Sequence, residues 1–144
     1  MKRRPKADPP GLWLLKTEPD HYSYDDLERD RATVWDGVRN NAALKHMRQV
    51  RNGDRALVYH TGDERAAVGL ARVTSDPYPD PRGDGPAIVV FDLAPERRLA
   101  RTVTLAAVKA EAAFAGFDLV RIPRLSVMPV PPALWDRLLA MAGG

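Results

Sequence analysis

At Asn52-Gly53-Asp54 the hydrophobic period of the chain changes. Upstream, Ala43, Leu44, Met47 and Val50 recur at helical spacing, with Lys45, Arg48 and Arg51 toward the opposite face. Downstream, residues 55–60 and 67–74 are short β-type runs joined by a polar loop that contains Gly62. An Asn-Gly-Asp turn between them is a strong break, so a helix must hand over to a strand pair at this point. The same alternation of short strands and short helices continues on both sides. Residues 12–16 read as a first strand closed by Pro19, and Ser23 with Asp26 reads as a capping box that opens a short helix. Thr33-Val34-Trp35 is extended. Asn40 or Asn41 caps a helix running to about Val50.

Residues 76–86 hold four prolines and two glycines and read as a loop. Residues 87–93 form an apolar strand that continues raggedly toward Arg98. Thr104 caps a helix over 105–113, residues 125–130 are extended, and Pro131-Pro132 opens a last helix with Leu134, Trp135, Leu138 and Leu139 as its apolar stripe. Five or six short strands with three or four helices predict an α+β fold, a small β-barrel with helices packed around it. The 144 residues fit one domain. Residues 1–10 show no apolar periodicity and read as a disordered basic tail, leaving 11–144 as the folded body.

Charge decides less than the pI near 9.4 suggests. Of 22 basic and 19 acidic residues, the tail holds Lys2, Arg3, Arg4 and Lys6 against Asp8, so the body carries 22 − 4 = 18 basic and 19 − 1 = 18 acidic groups. Only local clusters can then argue for a polyanion partner. One exists: no acid occurs between Asp36 and Asp54, while Arg39, Lys45, Arg48 and Arg51 do. A solvated helix face also explains such a run. Cysteine is absent, which removes disulfides, thiolate metal sites and cysteine nucleophiles. No apolar run reaches membrane-spanning length and no secretory segment is evident, so a cytoplasmic protein without membrane contact is expected.

Two tryptophan motifs carry the candidate chemistry, Trp13-Leu14-Leu15-Lys16-Thr17-Glu18-Pro19 and Trp35-Asp36-Gly37-Val38-Arg39-Asn40. Each sets a flat aromatic beside hydrogen-bonding groups and a backbone-bending residue. A lone Trp is more often a core anchor, and Trp13 fits that. The polar company of Trp35 favours a pocket wall. An indole face can stack a base, and Gly37 lets main chain approach a ligand. Tyr59 or His60 could form a second wall. Asn40 could read a base edge, since a carboxamide both donates and accepts, or it could cap the helix that follows. Glu18 could accept from a cytosine amino group, although pairing with Arg39 is favoured. Arg39, Lys45, Arg48 and Arg51 are candidate phosphate contacts, with Lys16 in the pocket or beside it. Gly37, Val38, Leu125 and Ser126 complete the candidate lining. His21, His46 and His60 lack metal-ligand spacing, the serines lack a nucleophile context, and Asp76, Asp80 and Asp84 read as a surface loop. No catalytic residue, metal or cofactor is therefore expected.

Lys16-Thr17-Glu18-Pro19 and Trp35-Asp36-Gly37-Val38-Arg39-Asn40 together resemble the EVE domain family. The likeness continues through Tyr59-His60-Thr61, Gly69-Leu70-Ala71, Tyr78-Pro79-Asp80-Pro81, Val103-Thr104-Leu105 and residues 124–130. Thr17 stands where the family usually has Ser, and the loop over 80–85 is shorter than in many relatives. The resemblance implies a PUA-like fold, a small mixed β-barrel with flanking helices, and kinship with YTH and ASCH domains. It also implies a non-catalytic reader of modified bases, chiefly modified cytosine in DNA, with RNA as an alternative. By the same likeness, Lys16-Thr17 and Trp35 match base-binding backbone and a cage tryptophan. A module binding a small ligand or a protein partner, and a nucleotide hydrolase using Glu18 or His60, are the competing readings; which protein partner is not indicated.

Overall fold

The computed structural model describes residues 10–83 and 87–143. Nearly all of the predicted tail, and Asp84 with Gly85, fall outside them. Among the described residues, seven strands make the sheet system: β1 (Leu12–Thr17), β2 (Thr33–Trp35), β3 (Arg55–His60), β4 (Ala66–Val73), β5 (Tyr78–Pro79), β6 (Val89–Thr104) and β7 (Val127–Pro129). Five α-helices flank it: α1 (Tyr24–Asp30), α2 (Asn41–Met47), α3 (Leu105–Lys109), α4 (Asp118–Arg121) and α5 (Pro132–Met141). A 3₁₀ turn covers Ala112–Phe114.

The strand order is β2-β6-β4-β3-β1-β7, with β5 pairing β6 off this path. β1 runs parallel to β3, from Leu12 opposite Arg55 to Thr17 opposite His60. On its other side β1 is antiparallel to β7, with Leu14 opposite Met128. The sheet curls into the half-barrel of an α+β, PUA-like fold. Its edges, β2 and β7, do not pair. Helix α2 touches both β6 and β7 and so lies over the gap. Ala43, Leu44, Met47 and Val50 are all buried there, on the face that their spacing predicts.

Local sequence explains most boundaries. The Ser23 hydroxyl accepts from the Asp26 N–H at 3.1 Å while the Asp26 carboxylate accepts from the Ser23 N–H at 2.9 Å, the reciprocal pattern of a capping box. The Thr104 hydroxyl caps α3 by accepting from the Ala107 N–H. Four expectations need correction. β6 spans 16 residues instead of fading near Arg98, because β4 pairs along it as far as Thr104. The loop after Asp76 contains β5, two residues held by Val89 and Val90. The helix after Thr104 stops at Lys109, where a 3₁₀ turn and then α4 bury Phe114 and Leu119. The helix after Asn40 ends at Met47, three residues early.

Trp13 is core. It is 6% exposed, its ring lies tilted 6.4 Å from that of His46, and its Nε1 donates to Asp54 at 2.8 Å. Asp54 is 1% exposed and also accepts from the main-chain N–H groups of Gly11 and Arg51, at 2.8 and 2.9 Å. One buried carboxylate thus ties the start of β1 to the turn before β3. In β4, Gly69 packs against Tyr24, and a Cβ there would overlap the phenol ring. Tyr24 is fully buried and its hydroxyl donates to the Leu70 carbonyl at 2.6 Å.

Candidate nucleic-acid interface

A cleft of about 510 Å³ opens in the gap between the sheet edges, a volume typical of small-ligand sites. Lys16 and Thr17 from β1, the following Glu18, and Ser126 just before β7 form one wall. Thr33, Val34 and Trp35 of β2, with the segment 36–40, form the other; His21 and Tyr22 close one end. Gly37 has φ +76°, a left-handed conformation that suits glycine. It turns the chain from β2 into α2 and so presents Val38, Arg39 and Asn40 to the same space.

Trp35 is 7% exposed and lines the cleft. It is both core and wall, which is where the two readings of a tryptophan meet. Asn40 caps α2, its Oδ1 accepting from the Ala43 N–H at 3.1 Å. Its side-chain NH₂ has no partner among the described residues and stays available as a donor at the cleft. The expected Glu18–Arg39 pair is not formed. Parallel pairing of β1 with β3 brings Thr61 alongside, and Glu18 Oε2 accepts from its hydroxyl at 3.1 Å. Arg39 is exposed at the cleft without a partner among the described residues.

A family model for the EVE domain matches residues 11–141. The chain belongs to the EVE domain family. It is 28% identical to human thymocyte nuclear protein 1, over 90% of this chain and 72% of that protein. The human THYN1 protein has been solved in complex with 5-methylcytosine-containing DNA, and that structure superposes with a TM-score of 0.84 at 26% identity, over 93% of this chain and 98% of the other. Rpa0253 from Rhodopseudomonas palustris is similar at 38% identity, with a TM-score of 0.88 over 92% and 93% of the two chains. An ASCH protein from Zymomonas mobilis shares the fold at 9% identity and a TM-score of 0.59, over 91% and 95%.

Of the residues expected to line an EVE pocket, eight meet at the cleft: Lys16, Thr17, Glu18, Trp35, Gly37, Val38, Asn40 and Ser126. Tyr59, His60 and Leu125 do not. All five residues 56–60 of β3 are buried, because both faces of that strand are covered, and strand alternation cannot say which side chains reach the cleft. Tyr59 lies instead beneath the Lys16 ammonium, 5.7 Å from ring centre to Nζ. His60 Nε2 accepts from the Tyr24 N–H at 3.0 Å and its Nδ1 faces Glu64 at 2.7 Å. Both ring nitrogens are engaged by residues that do not line the cleft. Leu125 is buried core.

Lys16 Nζ donates to the Pro123 carbonyl at 2.8 Å, and burial pushes its pKa below the ordinary lysine value. Among the predicted phosphate contacts, only Arg39 reaches the cleft. Lys45 is exposed on α2. Arg48 donates to the Ala87 carbonyl and Arg51 to the carbonyls of Arg48 and Val50, so both guanidinium groups already serve backbone. Sequence reasoning missed His21, Tyr22, Thr33, Val34 and Asp36.

Proposed function

We propose that this EVE domain binds nucleic acid and holds one modified base, a modified cytosine in DNA, in the cleft without chemical turnover. The observation that carries the reading is the composition of the cleft. A largely buried indole stands beside free donors from Asn40 and Arg39, in a gap of the sheet large enough for a flipped base. Withdrawing a base from a duplex costs a few kcal/mol, which stacking and edge contacts must offset. The likeness to human THYN1, solved with 5-methylcytosine-containing DNA, supports the choice of base.

Titration with matched oligonucleotides carrying cytosine, 5-methylcytosine or 5-hydroxymethylcytosine tests this. A buried methyl group contributes ~0.8 kcal/mol, so 5-methylcytosine should bind about fourfold more tightly than cytosine. Equal affinity across that set would refute modified-base reading. Preference for an equivalent modified RNA would move the polymer from DNA to RNA.

A further inference from the structure

β2 is an edge strand, and the ladder shows which of its main-chain groups are spare. Its register sets Thr33 opposite Leu93, Val34 opposite Asp92 and Trp35 opposite Phe91. In an antiparallel pair, alternate residues exchange hydrogen bonds and those between face outward. The Asp92 N–H donates to Ser75 Oγ and its carbonyl accepts from the Thr74 N–H, both at 2.9 Å. Asp92 therefore points away from β2. The Thr33–Leu93 and Trp35–Phe91 pairs carry the ladder, and the Val34 N–H and C=O point off the sheet. Val34 lines the cleft and is 40% exposed, the one large exposed hydrophobic among the described residues.

We propose that the main-chain N–H and C=O of Val34 read the hydrogen-bonding edge of the bound base. This rests on the base-pocket reading above. A single strand residue offers a donor beside an acceptor. Cytosine offers the complement, with N3 accepting and the N4 amino group donating. Its 5-position lies away from N3. Base identity is then read by main chain, and the 5-substituent by side chains elsewhere in the pocket.

Val34→Pro is the decisive variant. It deletes the N–H, and proline is tolerated on an edge strand where that group faces outward. Thr33, the residue before it, is already extended, as a residue preceding proline must be. Affinity should fall about tenfold for cytosine and 5-methylcytosine oligonucleotides alike, the effect of one hydrogen bond, with their ratio unchanged. Val34→Ala, which keeps the main chain and only trims the side chain at the cleft, should lose clearly less than Val34→Pro. If Val34→Pro binds like the parent, this inference fails while the base-pocket reading stands. If the parent protein binds none of the oligonucleotides, both fail. Should Val34→Pro not fold, the Val34 amide of the parent decides. Added oligonucleotide must shift its ¹H–¹⁵N signal and slow its exchange, and an amide that does neither overturns the proposal.

Discussion

Replacing Asp54 by Asn tests how the start of the β1–β3 pairing is locked. The change is nearly isosteric, but it converts one acceptor oxygen into a donor. Asp54 Oδ2 accepts from Trp13 Nε1 and the Arg51 N–H, and Oδ1 from the Gly11 N–H. If the amide oxygen takes the Oδ2 place, two bonds survive as neutral ones and the NH₂ faces the Gly11 N–H. If it takes the other, two donors are left facing a donor. The first orientation wins. Its cost is one charge-assisted bond, worth about 1.5–3 kcal/mol, plus a weakening of the two that remain. The expected loss is about 3 kcal/mol, or roughly 10 °C in Tm for a domain this size. Urea unfolding at neutral pH, followed by tryptophan fluorescence, measures it. Asp54→Ala, which keeps no bond, should lose more. A loss below about 0.5 kcal/mol for Asp54→Asn would refute the clamp, and equal losses for the two variants would show the surviving bonds contribute nothing.

Three further outcomes are expected. Trp35→Ala should cost about 3–5 kcal/mol of stability because the indole is largely core; Trp35→Phe spares most of that packing, so an affinity for oligonucleotides equal to the parent's would remove Trp35 from the site. Arg39→Gln should reduce the slope of log affinity against log salt by roughly one unit; an equal effect of Arg51→Gln would extend the footprint to the segment between α2 and β3. Tyr24, desolvated in the core, and Tyr78, bonded to Asp92, both have pKa values pushed up from 10.0 to about 12. The folded state thus holds these protons more tightly than the unfolded chain. The stability they contribute is complete below pH 10 and lost as pH rises toward about 12, and Tyr78→Phe should make alkaline unfolding less steep; a parent protein whose stability is flat over that window would contradict the assignment.

Local signals in the sequence transmitted local structure. The Ser23/Asp26 box, the Thr104 cap, the Asn-Gly-Asp turn and the stripe on α2 each depend on residues within a turn or two of one another, and each is found. Partnerships set by the sheet were not legible. Glu18 and Arg39 look like natural partners in the sequence, yet parallel pairing of β1 with β3 gives Glu18 to Thr61. Pro95 and the charged run Glu96-Arg97-Arg98 look like the end of a strand, although register shifts opposite Gly69 and Leu70 let β6 continue through them. Tyr59 and His60 follow a bulge between Val58 and Tyr59 in a strand covered on both faces, so neither alternation nor polarity betrays their direction.

The position of β7 has a consequence for how the site comes into being. Leu14 waits for Met128, 114 positions later in the chain, while α1, α2 and the β3–β4 hairpin close over short separations. Contacts so distant in sequence are slow to form, because the intervening chain must be ordered first. Ser126 and the carbonyl that Lys16 grips at Pro123 arrive with that last strand. During synthesis from the N-terminus, β2 with Trp35 and the Lys16–Glu18 part of the facing wall can therefore stand before Ser126 joins them. A partly made chain would present an open, unfinished cleft, and competence to bind would appear late and all at once, when β7 docks beside β1.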